Sequence, residues 1–432
     1  MKPRRIAAHG VEEALESAPA ARLERNRVVL DNGLVILVNE NPTSPLVSIV
    51  AHVESGQRYE PEAKAGVSYL MGELLDGGTK DRSAQRIASD LEYIGGVLST
   101  TSSGIRIKVR TQDLGRGLQT AADCLRRPIF PADRVAFERD RQLAGIQHDA
   151  DNPKKIAHTV FDDLVYGAHP YHRPAKGYAE TVRRLGRKDV LEYHRKYFVP
   201  DNLILVFAGD VKTEEVVRRV EDVFGDWKPA KPEFPPIPAV RRQKNVRRKW
   251  HDMKRAQIHV YLGHLGIRRS DPDYYPLYVL DEILGHGAGF TDRISRKLRD
   301  EQGLAYSVNA SSTEYAGKEP GVFYAYIGTS RENYDKAVEG FLEEIRRVRV
   351  EEVTPEELRS AQTYLVHHYV FGFETNSQRA NQILLLERYG FDTNHFVEHP
   401  RRIAAVTASE ILAAAARNLA AEHYSLSVAG PK

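Results

Sequence analysis

Hydrophobic and polar positions alternate along the first 230 residues in a pattern typical of short strands followed by amphipathic helices. Two apolar runs flank an Asn-Gly pair in NRVVLDNGLVILVNENP (26–42), and because Asn-Gly favours a type I′ turn this segment predicts a β-hairpin. Another strand follows over 45–60. The spacing of apolar residues then predicts helices over 66–75, 83–93, 112–128, 132–153 and 213–227, and strands over 95–111 and 201–211.

A proline-rich segment, 227–243, interrupts this pattern and predicts an extended, fairly stiff connector. The same order of elements then recurs. Strands are predicted over 257–266, 305–315, 321–330 and 423–430, and helices over 274–285, 291–303, 332–348 and 354–373.

Two halves with matching element order indicate an internal duplication. One local pair is specific, since YLMGELLDGG (69–78) shares a tyrosine, a glutamate, a leucine and a final glycine with YVLDEILGHG (278–287). In each half a second helix leads to a glycine, Gly95 or Gly303. The sequence therefore predicts an α+β fold of two homologous sandwich halves, each a mostly antiparallel sheet with helices against one face. The expected boundaries are a polar lead (1–26), two domains (27–226 and 244–432) and the connector (227–243).

Composition narrows the classes of function. The chain has 432 residues, 62 basic and 59 acidic, so its net charge of +3 gives no reason to expect nucleic acid as a partner. The arginine-rich stretch 241–249 is interpreted as a solvated linker. The single cysteine, Cys124, excludes a disulfide framework and cysteine-based zinc sites, and its helical context predicts a buried apolar role.

Hydropathy gives no sign of membrane insertion or export. No run of about eighteen apolar residues is present, so no transmembrane segment is expected. The first thirty residues are polar and lack the apolar core of a signal peptide. A soluble protein of the cytoplasm or periplasm is expected, and the sequence does not choose between these compartments.

The helix predicted over 66–75 matters for chemistry. Two histidines at positions i and i+4 of a helix can bind zinc, and a neighbouring glutamate can activate a metal-bound water, as in the motif H-x-x-E-H. The stretches AGVSYLMGELLDGGT (65–79) and RSAQRIASDLEYIGGVLSTTSS (82–103) resemble the region around that motif in the pitrilysin, or insulinase-like, zinc peptidases, which include the mitochondrial processing peptidase. The resemblance covers roughly residues 27 to 430 and both halves.

Carried over by position, the resemblance implies that the zinc site has degenerated. Tyr69 stands at the first histidine, Gly72 at the general-base glutamate, Glu73 at the second histidine and Gly145 at the third ligand. Zinc hydrolysis by this chain is therefore not expected, and no metal is assigned to it. The preferred interpretation is a packed helix, with Tyr69 and Leu70 in the core and Gly72 allowing close approach of a neighbouring element.

Other metal sites are less favoured. One alternative is a rebuilt site from Glu73, His148 and Glu138. The remaining histidine pairs lack ligand-like helical spacing or a converging carboxylate; they are His169 with His172, and His367 with His368.

A second motif lies in the second half. The stretch SRKLRDEQGLAYSV (295–308) resembles the family's second-half signature, an arginine followed seven residues later by a tyrosine, here Arg299 and Tyr306. A guanidinium and a phenol can hold substrate carbonyls and stabilise an oxyanion. The glycine-rich stretch 282–298 is expected, from the resemblance, to contact substrate or gate the cavity. The alternative is a surface arginine beside a half-buried strand tyrosine.

Three hypotheses remain. The favoured one is the non-catalytic subunit of a heterodimeric zinc metallopeptidase, without a cofactor of its own, which supplies Arg299 and Tyr306 to a partner that carries H-x-x-E-H and zinc. The two subunits would enclose peptide substrates, and a homodimer is possible without the partner. The second is a purely structural or peptide-binding relative. The third is an enzyme with a rebuilt metal site.

Overall fold

The computed structural model describes residues 23–432, so residues 1–22 of the predicted polar lead lie outside the described part. Its strands follow the predicted order with one exception: part of the stretch 241–249, interpreted as a solvated linker, belongs to an edge strand over Arg247–Asp252 that pairs with Ser425–Gly430. They are β1 (Asn26–Val29), β2 (Val35–Glu40), β3 (Leu46–Val53), β4 (Val97–Thr101), β5 (Gly104–Arg110), β6 (Leu203–Gly209), β7 (Arg247–Asp252), β8 (Ile258–Leu265), β9 (Ala305–Ser311), β10 (Val322–Thr329) and β11 (Ser425–Gly430).

The two sheets have the same topology. The first has the order β1-β2-β6-β3-β5-β4 and the second β7-β11-β8-β10-β9. In each sheet one strand pair is parallel, β2 with β6 and β7 with β11, and the other pairs are antiparallel. Without β1 the two orders correspond strand for strand, which confirms the predicted pair of homologous halves.

Helices pack on both sheets. In the first half they are α1 (Val67–Gly72), α2 (Ala84–Tyr93), α3 (Leu114–Arg126), α4 (Ala132–Ala150), α5 (Pro153–Tyr166), α6 (Ala179–Val182), α7 (Arg187–Tyr197) and α8 (Thr213–Phe224). In the second half they are α9 (Tyr274–Leu284), α10 (Tyr334–Val348), α11 (Pro355–His368), α12 (Asn376–Tyr389), α13 (His395–Ala405) and α14 (Ala408–Asn418). Cys124 is fully buried in α3, as predicted.

The expectation of helices against only one face of each sheet is wrong, because the halves exchange helices. Helix α5 of the first half packs on the second sheet, where Phe161 and Val165 meet Tyr261 and Tyr324. Helix α12 of the second half packs on the first sheet, where Ile383 joins a cluster of apolar residues from β2, β3 and β6. Both faces of the central strands are therefore covered, and β10 and β11 are buried along their whole length.

The predicted hairpin between β1 and β2 forms, but the prediction of a type I′ turn is wrong. Only Gly33 has a positive φ, of 89°, whereas a type I′ turn needs two such residues. Asn32 is instead fixed by its side chain, which donates to the carbonyl oxygens of Phe224 (2.8 Å) and Trp227 (3.3 Å). The turn is a three-residue loop anchored to the end of α8.

The connector 227–243 has no regular secondary structure and is mostly exposed. Its Phe234 ring packs near the rings of Tyr59 (4.6 Å) and Tyr197 (5.8 Å), so the connector follows the surface of the first half. Among residues 23–432, no helix combines the length and the apolar character that crossing a membrane requires.

Candidate functional site

Helix α1 contains Tyr69 and Gly72, which were predicted from the resemblance to stand at positions of a zinc motif, and its start is fixed by polar contacts. Gly66 has a φ of 95°, a conformation that L side chains rarely adopt. The buried carboxylate of Glu60 accepts hydrogen bonds from the backbone N–H groups of Gly66 (2.9 Å) and Ser68 (2.7 Å). An anion at a helix N-terminus satisfies otherwise unpaired donors, so α1 has a defined starting point.

Gly72 lies against the loop that joins β4 to β5. A Cβ atom at this position would lie 2.5 Å from the Ser102 nitrogen and 2.6 Å from the Thr101 carbonyl carbon. These neighbours are backbone atoms and cannot rotate away. In the second half the matching position is Asp281, which is buried and accepts hydrogen bonds from Ser311, Ser312 and Thr313. Both halves therefore tie this helix to the same hairpin, one by backbone contact and the other by a carboxylate.

Tyr69 and Glu73 lie one turn apart on α1. Leu70 is fully buried, but Tyr69 is only half-buried, so its predicted place in the core is wrong. Burial raises the pKa of the Tyr69 hydroxyl, and the neighbouring Glu73 carboxylate adds to this effect. Burial also raises the pKa of Glu73, although Arg141 acts in the opposite direction.

Gly145, predicted to stand at the third ligand, and Glu138 both lie on α4. Both carboxylate oxygens of buried Glu138 are bonded to arginines, Arg134 at 3.1 Å and Arg141 at 2.7 Å. Gly145 faces a lysine instead of a metal, because a Cβ at this position would lie 3.4 Å from the Lys176 ammonium. Lys176 in turn forms an ion pair of 2.7 Å with Asp149.

These residues do not fit a zinc ion. Zinc needs about four ligands from histidine, cysteine or carboxylate side chains. Three of the positions predicted for the ligands and the general base hold Tyr69, Gly72 and Gly145 instead. The nearby Lys176 and Arg141 side chains add positive charge, which repels a metal cation. Within residues 23–432, no group of three or more histidine, cysteine, aspartate or glutamate side chains is arranged to hold a metal. His148 is exposed on α4, and Glu138 is already paired, so Glu73, His148 and Glu138 do not form such a group.

The other histidines have local roles. His169 is buried, its Nδ1 accepts from the Tyr171 backbone N–H, and burial lowers its pKa to about 4. His172 lies 3.6 Å from Asp163. His367 and His368 are exposed at the end of α11, and His368 stacks on Tyr364.

Arg299 and Tyr306 do come together. The Arg299 Cζ lies 5.6 Å from the centre of the Tyr306 ring, and on another side it lies 3.7 Å from the centre of the Phe290 ring. Tyr306 is 84% exposed, so it is not the half-buried strand residue of the alternative interpretation. Within residues 23–432, Arg299 has no carboxylate partner. We call Phe290, Arg299 and Tyr306 the arginine–aromatic cluster.

Two irregular segments carry this cluster. Residues Ser295–Glu301 form a π-helical turn where a regular helix was predicted over 291–303, and Gln302 N donates to the Lys297 carbonyl five residues back. Phe290 has a φ of 65°, which is unusual for a residue with a bulky side chain. Its loop is held by Glu282, whose carboxylate accepts from the Ala288 N–H at 3.0 Å.

The sequence did not identify three residues as parts of these sites: Phe290, Glu60 and Lys176. The glycine-rich stretch 282–298 pointed to the Phe290 loop but not to a ring facing Arg299. Lys176 lies 31 residues beyond Gly145, in a turn without helical periodicity, so no sequence pattern relates it to α4.

Comparison with known proteins agrees with this fold. The model of the insulinase family (peptidase family M16) matches residues 35–176, and that of the peptidase M16 inactive domain matches residues 184–365. An uncharacterized zinc protease of Streptomyces coelicolor is 28% identical over 416 residues, covering 94% of this chain and 89% of its own. One from Bacillus subtilis is 25% identical over 421 residues, covering 94% of this chain and 98% of its own.

Solved structures show the same architecture. A peptidase M16 inactive domain from Pseudomonas fluorescens superposes with a TM-score of 0.88 at 22% identity, over 95% of this chain and 99% of its own. A protease from Helicobacter pylori gives a TM-score of 0.85 at 19% identity, over 94% of this chain and 99% of its own. With one model of this family on each half, the chain belongs to the insulinase-like family of peptidases, family M16.

Proposed function

We propose that this chain is the non-catalytic subunit of a two-chain zinc metallopeptidase and supplies Arg299 and Tyr306 to its partner's active site. The observation that carries the proposal is the pairing of an arginine that has no carboxylate partner among residues 23–432 with a strand tyrosine that is 84% exposed. Because the Tyr306 side chain is exposed, packing in a core does not account for a tyrosine at this position. The zinc in this proposal belongs to a homologue with an intact H-x-x-E-H motif, because the corresponding residues here do not fit it.

The chemistry of the cluster suits a peptide bond. Phe290 and Tyr306 contact the Arg299 guanidinium through their rings, which leaves its N–H groups able to donate to a carbonyl oxygen. The Tyr306 hydroxyl is a second donor at the surface. Two such neighbouring donors stabilise the negative charge that develops on a carbonyl oxygen during attack.

The experiment compares peptide cleavage by this chain, by the H-x-x-E-H homologue of the same organism, and by their mixture. Internally quenched peptides report kcat/KM, and gel filtration reports whether the complex forms. We expect cleavage by the mixture alone, and a loss of about 100-fold in kcat/KM for Arg299→Ala or Tyr306→Phe with the complex intact.

Two matched controls exist in the chain. Tyr93 is 85% exposed and its ring lies 5.9 Å from the Cζ of Arg116, so Tyr93→Phe reproduces the chemical change of Tyr306→Phe elsewhere. Arg331 lies over the rings of Trp250 and Tyr334, so Arg331→Ala controls for the loss of a stacked arginine. Full activity of a mixture in which Arg299 and Tyr306 are both changed would instead support a structural or peptide-binding subunit.

A further inference from the structure

A small cleft that shares no residue with the arginine–aromatic cluster lies between residues 269–275, at the start of α9, and α13 with the segment before it. Its volume is about 210 Å³. The side chains that define its character are Arg269, Tyr274, Tyr275, Phe391, His395 and Arg402.

Two of these side chains are arginines without a counter-ion. Within residues 23–432, neither Arg269 nor Arg402 forms an ion pair with a carboxylate. Arg269 lies over the rings of Tyr274 (5.1 Å) and Tyr389 (5.7 Å), and its Nε is buried without a hydrogen-bond partner in that part of the chain. Arg402 lies over the Tyr275 ring at 5.6 Å. Aromatic rings thus lie beside both guanidinium groups, and no carboxylate of residues 23–432 lies within ion-pair distance of either.

Asp271 also lines the cleft and Asp392 and Glu398 are close in sequence to its residues, but their recorded partners are other groups than the two arginines. An Asp271 carboxylate oxygen accepts from the Asp273 N–H at 3.0 Å, and that of Asp392 accepts from the Asn394 N–H at 2.8 Å. Glu398 pairs with Arg401 at 3.0 Å.

The histidines of the cleft do not add charge at neutral pH. Burial, together with the positive charges of Arg269 and Arg402, lowers the pKa of His395 to about 4. Its ring is stacked on Phe391 at 4.3 Å. The next histidine on α13, His399, is buried and bonded through Nδ1 to the Tyr275 hydroxyl at 3.1 Å. The cleft thus combines two arginines with one acid, Asp271, a neutral imidazole and aromatic walls.

We propose that this cleft binds a small oxyanion, a carboxylate or phosphate group, between Arg269 and Arg402. Guanidinium groups match the geometry of such oxyanions and form charge-assisted hydrogen bonds with them. A volume of about 210 Å³ is below the range of pockets for larger organic ligands. The ligand is therefore a single anionic group, either free or at the end of a chain whose remainder stays in solvent.

The test is calorimetric titration of the whole chain at constant ionic strength, with inorganic phosphate in one arm. In the second arm, an acetylated dipeptide with a free carboxylate is compared with its C-terminal amide. We expect saturable binding of phosphate, of the free carboxylate, or of both, and none of the amide. Removing one arginine, as Arg269→Gln or Arg402→Gln, should weaken binding by about tenfold or more.

Arg331→Gln is the matched control, because Arg331 is also stacked on two aromatic rings but lies outside the cleft. Arg269→Lys and Arg402→Lys keep the charge, and serve if a glutamine variant fails to fold. Retention of a wild-type dissociation constant by the double variant Arg269→Gln/Arg402→Gln would overturn the proposal. So would equal binding of the amide, or an absence of saturable binding to the wild-type chain.

Discussion

Gly72 and Gly145 are the two glycines that we assign, from the family resemblance, to functional positions of the motif, yet their surroundings differ. A methyl group at Gly72 meets backbone atoms at 2.5 Å, whereas at Gly145 it meets the flexible end of Lys176 at 3.4 Å. Both glycines lie on helices, where alanine is ordinarily more stable by about 1 kcal/mol.

The two alanine variants should therefore change stability in opposite directions. We expect Gly72→Ala to lower the free energy of unfolding by about 2 kcal/mol, because overpacking outweighs the helix propensity. Gly145→Ala should raise it by up to about 1 kcal/mol. Thermal melting of the two variants beside the wild type measures both effects, and a higher melting temperature for Gly72→Ala would contradict the packing described for α1.

Lys176 should oppose zinc binding even if the lost ligands are restored. In the triple variant Tyr69→His/Glu73→His/Gly145→Glu, the new glutamate would lie beside the Lys176 ammonium and pair with it instead of a metal. We expect weak zinc binding by this variant, and affinity at least about tenfold higher when Lys176→Gln is added. Calorimetry and the zinc content of dialysed protein measure this, with the exposed Lys188→Gln as control. Equal affinity with and without Lys176→Gln would show that the lysine does not oppose the metal.

At the level of elements, local patterns predicted most strands and helices, because alternation and helical periodicity depend on neighbours in sequence. The predictions that were wrong or missing concern features that depend on residues distant in the sequence. The turn at Gly33 is set by Asn32 bonding to the end of α8, almost 200 residues away. No element was predicted over 374–422, which contains α12, α13 and α14. An amphipathic pattern shows that a helix has an apolar face, but not which sheet will cover it.

The exchange of α5 and α12 makes each sheet dependent on the other half. Phe161 on α5 is fully buried against the second sheet, so Phe161→Ala should cost roughly 3–5 kcal/mol. We expect faster amide hydrogen exchange in β8 and β10, although the substitution lies in the first half. Phe224→Ala is the matched control, because Phe224 on α8 packs in the core of its own half. Unchanged exchange in β8 and β10 of the Phe161 variant would argue against this dependence.

At the scale of the whole molecule, we expect the exchanged helices to hold the two halves together more strongly than the covalent connector does. Residues 227–243 are mostly exposed and carry no regular structure, so a protease site inserted there should be cut readily. We expect the two fragments to stay together and elute at the volume of the uncut chain, of 48.7 kDa. Gel filtration after cleavage checks this, and dissociation of wild-type fragments would contradict it. Adding Phe161→Ala and Ile383→Ala should allow separation, because each removes apolar contact between the halves.

The position of β11 has a consequence for biosynthesis. This strand lies between β7 and β8 in the second sheet, yet it is synthesised long after both, since Ser425–Gly430 follows β10 only after five helices and turns of the second half. The second sheet therefore cannot close while its last strand is still inside the ribosome. At roughly 5–20 residues per second, the apolar face of α5 waits tens of seconds for the surface that will bury it. We expect the nascent chain to depend on chaperones that shield this helix until β11 has left the ribosome.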